Sequence, residues 1–242
     1  MTKRLLSIVF VLILFCEVSI VAFYRVKEPD QKNPFSDTTT KNTYSENTKR
    51  KLADSENVMK KVALTFDDGP HPSYTQQLLD GLKERGVVAT FFVIGENASA
   101  HPELLKRMQE EGHLIGNHTY SHVQLRKNNR KAFEEEIVAT NEVIRQITGM
   151  ETMYIRPPYG TWDKVYERKL NMIPVLWTVD PLDWCSQNSD RVVEKVISKT
   201  KENDIILLHD IYESSVTAAL EIVDALQEKG YRFVTVEELL FD

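Results

Sequence analysis

The sequence predicts an α/β fold in which parallel strands close into a barrel. From about residue 58 onward, short continuous apolar runs alternate with longer amphipathic stretches, which is the pattern of a parallel sheet covered by helices. Five of the apolar runs are followed directly by a short polar cluster. An open doubly wound sheet gathers its ligand residues at one switch point, usually from two or three strands, whereas a barrel brings all its strand ends to one face. Five polar strand ends therefore favour the barrel.

The individual elements follow from these runs in chain order. The apolar runs predict seven strands, at residues 62–66, 90–94, 114–116, 152–155, 173–179, 204–208 and 232–236. The amphipathic stretches predict helices at residues 74–85, 102–111, 131–148, 190–202 and 214–229, with a shorter helix at 162–169. Four of these helices are followed by a glycine, the residue favoured in a left-handed cap: Gly86, Gly112, Gly149 and Gly230.

Residues 1–26 are predicted to form a signal-anchor or a signal peptide. Lys3 and Arg4 precede an apolar run at residues 5–24 that is about long enough to cross a bilayer as a helix. The basic residues favour a cytoplasmic N-terminus. The residues before Ala22 match the small-x-small cleavage pattern poorly, which favours an uncleaved anchor over a cleaved peptide. We therefore expect the rest of the chain to lie outside the cytoplasm, either anchored to the membrane or secreted.

The remaining chain divides into a spacer and a folded domain. Residues 27–57 predict a flexible, disordered spacer, because they are rich in Lys, Asp, Asn, Thr and Ser and nearly lack large apolar residues. Residues 58–242 form the predicted domain, whose one cysteine, Cys185, allows no intramolecular disulfide. The formal net charge of −6 argues against nucleic acid as a partner.

The five polar clusters carry metal-binding and proton-transferring side chains. They are residues 65–70 (TFDDGP), 118–122 (HTYSH), 156–160 (RPPYG), 180–184 (DPLDW) and 207–210 (LLHD). His118 and His122 are four residues apart, a spacing that would place both imidazoles on one side of a helical turn. The pair alone is weak evidence, and so is an Asp pair after a strand, which often caps a helix. Together with a later histidine, they predict a facial His-His-Asp metal site.

Two other enzyme classes compete with a metal-dependent hydrolase at this point. Two histidines and a carboxylate also hold the iron of non-haem oxygenases. An oxygenase does not need the additional acid, arginine and histidine, all of which serve proton transfer, so these residues favour hydrolysis. A glycosidase needs two carboxylates about 5 to 10 Å apart across the scissile bond. Asp67 and Asp68 are neighbours in sequence and would lie on the same side of that bond. A glycosidase would also leave the histidine pair unexplained, so this class is disfavoured.

In this order, the five clusters resemble the motifs of the polysaccharide deacetylase family, also called the NodB-homology domain or carbohydrate esterase family 4. The resemblance covers the chain from about residue 59 to its end. It implies a distorted (β/α)7 barrel and substrates that are N-acetylated amino sugars in polymers such as peptidoglycan or chitin. Intact site residues favour an enzyme over a non-catalytic wall-binding module, because a degenerate member should have lost some of them.

The resemblance also implies a role for each motif residue near the metal. Asp68, His118 and His122 would be the metal ligands, and Asp67 would be the catalytic base. Arg156 would pair with that base. The expected cofactor is one divalent metal ion, Zn²⁺ first, with Co²⁺ or Mn²⁺ as alternatives.

The remaining motif residues would act on the leaving group and the acetyl group. By the same resemblance, His209 would be the general acid and Asp183 would orient it. The backbone N–H of Tyr159 would stabilise the oxyanion, and Trp184 and Leu207 would line the pocket for the acetyl methyl group. The predicted protein is a monomeric, extracytoplasmic deacetylase of peptidoglycan N-acetylglucosamine. Chitin, chitooligosaccharides or another surface glycan are the alternative substrates.

Overall fold

Seven parallel β-strands form the centre of the fold. The computed structural model describes residues 59–241, so the predicted membrane segment 1–26 and the spacer 27–57 lie outside the described residues. The strands are β1 (Lys60–Asp67), β2 (Thr90–Val93), β3 (Leu114–Asn117), β4 (Tyr154–Ile155), β5 (Ile173–Pro174), β6 (Ile205–His209) and β7 (Tyr231–Val234). Each lies within one of the seven predicted runs or overlaps it, which confirms the strand prediction.

Strand β1 is the centre of the sheet because it pairs with three other strands. The strand order is β5-β4-β3-β2-β1-β6, and β7 also pairs with β1. Ala63 registers with Ile205 of β6 and with Val234 of β7, so these two strands lie on opposite edges of β1. On the edge of β1 that pairs with β7, the neighbouring strand from Thr65 onward is β2. The parallel pairing sends the ends of β1, β2, β3 and β6 to one face.

The predicted fifth strand, 173–179, is wrong beyond Pro174, because the chain changes partner there. Val175 donates its N–H to the carbonyl of Ile155 at 2.8 Å, whereas Val179 donates to Ile205 at 3.1 Å. A single bridge between Val179 and Ile206 then reaches β6. Pro174 has no N–H to donate on the other edge of β5, and within residues 59–241 no strand pairs with that edge. The sheet is therefore a parallel half-barrel rather than a regularly closed (β/α)7 barrel.

Nine α-helices accompany the sheet within residues 59–241. They are α1 (Tyr74–Glu84), α2 (Gly95–Ala100), α3 (Pro102–Glu110), α4 (Arg130–Thr148), α5 (Val165–Leu170), α6 (Asp183–Ser186), α7 (Ser189–Lys199), α8 (Glu213–Glu228) and α9 (Val236–Phe241). Six correspond to predicted helices. The three short helices α2, α6 and α9 were not predicted, and α9 begins at Val236, which the sequence had suggested as the end of the last strand.

Apolar side chains from the strands and the covering helices form the core. The largest cluster joins strand residues such as Leu64, Phe91 and Ile206 to helix residues such as Leu78 and Ile222, and all five are at most 1% exposed.

The four predicted cap glycines have positive φ, from 62° at Gly86 to 82° at Gly112, as the left-handed cap requires. Among the residues described, no helix combines the length and the apolarity needed to cross a membrane.

Candidate active site

The polar clusters that follow the strands meet in one cleft of about 430 Å³. Asp67 ends β1 and registers with His209 at the end of β6. Of the ten residues predicted for the site, eight line this cleft, and they are Asp67, Asp68, His118, His122, Tyr159, Trp184, Leu207 and His209. The other two, Arg156 and Asp183, lie behind the cleft wall, where they are fully or almost fully buried.

Asp68, His118 and His122 face one another with one donor atom each. Their donor atoms all lie within 4.8 Å of one another. Oδ1 of Asp68 is 3.3 Å from Nε2 of His118 and 3.4 Å from Nε2 of His122. Ligands bound about 2.0–2.1 Å from a tetrahedral metal ion are spaced by roughly 3.3 Å. The same Asp68 oxygen is buried without a hydrogen-bond partner among the described residues, so a divalent metal ion fits this donor set.

The histidine pair reaches this arrangement without a helical turn, so the structural reason given for the spacing is wrong. Residues 118–122 form an irregular bend in which Thr119 and His122 have φ values of 64° and 57°. The side chain of Asn117 accepts a hydrogen bond from the Thr119 N–H at 2.7 Å and so holds the bend. Nδ1 of His118 donates to the Arg156 carbonyl oxygen at 2.6 Å, which leaves Nε2 free to face Asp68.

The charges around the triad act in opposite directions on its members. Burial raises the pKa of Asp68, but its contact with His118 and the charges of the nearby histidines outweigh that effect, so the pKa lies below its ordinary value. Burial lowers the pKa of His122, and Asp68 opposes that shift. A carboxylate that stays ionised beside a neutral imidazole is the protonation state that a metal site needs.

Asp67 is held beside the triad by a completely buried arginine. Nη1 of Arg156 donates to Oδ1 of Asp67 at 2.8 Å and to the Thr65 hydroxyl at 2.7 Å. Nε of Arg156 donates to the Val175 carbonyl at 3.1 Å, and the guanidinium lies 4.3 Å from the centroid of the Phe92 ring. Burial lowers the pKa of Arg156, while the charge of Asp67 opposes that shift. A guanidinium remains protonated in proteins, so Asp67 faces a fixed positive charge.

His209 forms the other side of the cleft and is paired with Asp183. Oδ1 of Asp183 lies 2.9 Å from Nδ1 of His209, and its Oδ2 accepts the His209 backbone N–H at 2.8 Å. The Ser215 hydroxyl donates to the same oxygen at 2.7 Å. Burial lowers the pKa of His209, but the hydrogen bond and charge of Asp183, with Asp67 and Asp68, outweigh it and raise the pKa to about 9. The imidazole is therefore protonated at neutral pH.

Tyr159, Trp184 and Leu207 border the cleft with different exposure. Tyr159 has a φ of 59°, and its ring meets that of His122 edge-on with centroids 5.0 Å apart. Its side chain is otherwise open to solvent, and Trp184 is half exposed, whereas Leu207 is buried. Trp177 and Tyr212, to which no role was assigned, also line the cleft. The wall between the polar groups is thus aromatic and apolar.

Sequence reasoning assigned no role to Asp210, which is buried directly behind the cleft. It is 1% exposed and accepts a hydrogen bond from the Thr75 hydroxyl on Oδ2. Burial raises the pKa of Asp210 to about 7, with the charge of Asp68 adding to that shift and the hydrogen bond from Thr75 opposing it. Its place directly after His209 was the available indication, but an acid at a strand end also suits a turn or a cap.

Comparison with known proteins gives one consistent family. The family model described as polysaccharide deacetylase matches residues 54–175. The peptidoglycan-N-acetylmuramic acid deacetylase PdaC of Bacillus subtilis is 42% identical over 180 residues, which cover 74% of this chain and 38% of that protein. A peptidoglycan-N-acetylglucosamine deacetylase of Bacillus cereus is 40% identical over 188 residues, which cover 74% of this chain and 67% of that protein. The chain thus spans well under half the length of PdaC.

Solved structures agree with this assignment. The structure of PdaC from Bacillus subtilis superimposes with a TM-score of 0.74 at 41% identity and covers 76% of this chain and 91% of that one. A family 4 acetyl xylan esterase from Clostridium thermocellum, solved in complex with a cobalt ion, superimposes with a TM-score of 0.70 at 32% identity, covering 75% of this chain and 90% of that one.

Proposed function

Because the chain belongs to the polysaccharide deacetylase family, we propose that it hydrolyses N-acetyl groups from amino sugars of an extracellular polysaccharide. The observation that carries the proposal is the triad of Asp68, His118 and His122, whose donor atoms lie within 4.8 Å of one another. An acid held by an arginine flanks this triad, and a protonated histidine lies across the same cleft. Amide hydrolysis needs these three elements together: an activated water, a base to deprotonate it and an acid for the amine.

Asp67 is the proposed base. A bound divalent ion would lower the pKa of its water to about 7 and would polarise the acyl oxygen. The carboxylate of Asp67 takes the proton as the water attacks the acetyl carbon. Arg156 pairs with that carboxylate and fixes its direction through the 2.8 Å contact. General-base catalysis of this kind contributes about 10² to 10⁴ in rate.

His209 is the proposed acid. An amine leaves poorly unless it is protonated as the C–N bond breaks. The proton on Nε2 of His209 is the one available for this step, because Nδ1 is committed to Asp183. A pKa of about 9 keeps that proton in place at neutral pH.

The acetyl group is placed by the rest of the cleft. We assign the developing oxyanion to the backbone N–H of Tyr159, a donor of a kind worth about 3 kcal/mol, and an ion held by Asp68, His118 and His122 would polarise the same oxygen. Trp184 and Leu207 form the apolar surface for the methyl group. Both line the same cleft as the triad, which supports this assignment.

The proposed substrate is peptidoglycan, because relatives at about 40% identity are peptidoglycan deacetylases. N-acetylglucosamine is the proposed sugar, as in the name of the Bacillus cereus relative, whereas PdaC is named for N-acetylmuramic acid. Chitin, chitooligosaccharides and other surface glycans are the alternative. We further propose Zn²⁺ as the metal, with Co²⁺ and Mn²⁺ able to replace it, and a monomer attached to the membrane through residues 1–26 or secreted to the wall. Two imidazoles and a carboxylate are donors that suit hydrolytic zinc.

Acetate release tests the proposal. The full chain is stripped of metal with a chelator, reloaded with Zn²⁺ and incubated with N-acetylated chitooligosaccharides and with purified peptidoglycan. Release only after reloading is the expected result, and the ratio of the two rates ranks the substrates. Asp68→Asn is the matched control and should release no acetate. A folded, metal-loaded protein that releases none from either polymer would favour the wall-binding module instead.

A further inference from the structure

Asp210 makes contacts that neither the metal nor the chemistry proposed above explains. Its carboxylate is completely buried, yet Oδ1 has no hydrogen-bond partner within residues 59–241. Burying an incompletely paired carboxylate is costly, so a side chain that only fills space there would be better apolar. The contacts of Asp210 therefore need a reason.

The carboxylate touches the segment that carries Asp68 at two points. It lies directly against Gly69, because a methyl group added to Gly69 would overlap both oxygens of Asp210. It also accepts the hydroxyl of Thr75, and that hydroxyl accepts the backbone N–H of His71 at 2.7 Å. Asp210 thus holds residues 69–71 from both ends, and Asp68 directly precedes them.

The backbone of Asp68 needs such support because its conformation is unfavourable. Its φ of 75° lies in the left-handed region, which a residue with a side chain adopts only where its surroundings enforce it. Two contacts hold the carbonyl groups, since Asn97 donates to Asp68 at 2.8 Å and the Ile94 N–H donates to Gly69 at 3.0 Å. Asp210 supplies a third contact, on the Gly69 Cα.

We propose that Asp210 is a positioning residue for the metal site, one that fixes the turn at Asp68 and Gly69 and thereby directs the Asp68 carboxylate toward His118 and His122. The inference rests on the proposed function, because it assumes that these three side chains bind a metal. It adds a residue that touches neither metal nor substrate and acts through the backbone.

Metal affinity tests the inference without measuring turnover. Zn²⁺ binding to the full chain is measured by competition with a chromophoric chelator, for wild type, Asp210→Ala and Asp210→Asn. Asp210→Ala should weaken binding by about 10- to 100-fold, the usual effect of removing support from a ligand. Asn keeps the size and an acceptor for Thr75, so Asp210→Asn should stay within about threefold of wild type. The absorption spectrum of bound Co²⁺ should change in Asp210→Ala and not in Asp210→Asn.

Gly69→Ala, made in the wild-type and in the Asp210→Ala background, tests the same contact from the Gly69 side. Gly69→Ala should weaken Zn²⁺ binding in the wild-type background, and much less in the Asp210→Ala background, where the added methyl group has space. Tyr154→Phe is the matched control, because it removes a partly buried 2.9 Å hydrogen bond to Glu237 outside the cleft and should leave Zn²⁺ affinity unchanged. Wild-type affinity and an unchanged Co²⁺ spectrum in Asp210→Ala would overturn the inference. A wild-type chain that binds neither ion would overturn the proposed function itself.

Discussion

Replacing Arg156 should separate its effect on stability from its effect on chemistry. In Arg156→Met the side-chain length is nearly kept, but every donor is lost, including those to Asp67, Thr65 and Val175. Asp67 is only 3% exposed, so its charge would remain buried and unpaired. Removing one partner of a buried ion pair costs about 3–5 kcal/mol. A domain typically has about 5–15 kcal/mol of stability, so the variant should fold but unfold at lower urea.

Activity should fall further than stability explains. Without Arg156 the base loses both its fixed direction and its positive neighbour, and we expect kcat/KM for acetate release to fall by about 100-fold or more. Arg156→Lys keeps the charge but offers one nitrogen in place of the fork, so it should lie between wild type and Arg156→Met. Urea unfolding followed by circular dichroism gives the stability, and acetate release is measured where each variant is fully folded. A folded Arg156→Met with kcat/KM within threefold of wild type would refute the pairing of Arg156 with the base.

Three further outcomes are expected. Asp68→Asn should lose Zn²⁺ affinity, whereas Asp67→Asn should keep the metal and lose acetate release; equal metal loss in both would contradict the separate roles. Asp183→Asn should move the alkaline limb of the pH–rate profile down by roughly 2 units, because the pKa of His209 would return from about 9 toward 6.5, and an unmoved limb would argue against His209 as the acid. Burial lowers the pKa of His113 to about 4, so its neutral form stabilises the fold above pH 6.5 and that stability is lost as the pH falls toward 4. Between pH 7 and pH 4, wild type should lose about 3 kcal/mol more unfolding free energy than His113→Gln, and parallel curves would exclude this.

The strands could be predicted because buried parallel strands are continuous apolar runs. The longer helices could be predicted because each has one apolar face, which appears in the sequence as a helical periodicity. Helix α2 (Gly95–Ala100) was missed because its six residues contain no apolar periodicity. The end of β5 was missed because a strand that changes partner keeps the apolar composition of a continuing one. Nothing in the run from Ile173 to Val179 marks that change except Pro174.

The side chains of the site could be predicted better than the backbone bends and buried contacts that hold them in place. Asp68, His118 and His122 carry chemistry in their residue types, so their clustering was visible in the sequence. The bend that brings the histidines together depends on left-handed residues such as Thr119, which sequence spacing does not reveal. Asp210 and Thr75 are far apart in sequence and meet only in the fold, so their contact could not be read from either motif.

The direction of β1 also determines how the domain presents its cleft. The chain enters β1 at Lys60 and reaches the cleft only at Asp67, the last residue of this eight-residue strand. At a rise of about 3.3 Å per residue, entry point and cleft are separated by roughly 23 Å, on opposite ends of the sheet. A solid support coupled at Lys60 would therefore be attached at the end of the sheet opposite the cleft. Immobilising the domain at this residue should leave the cleft accessible to an insoluble polymer.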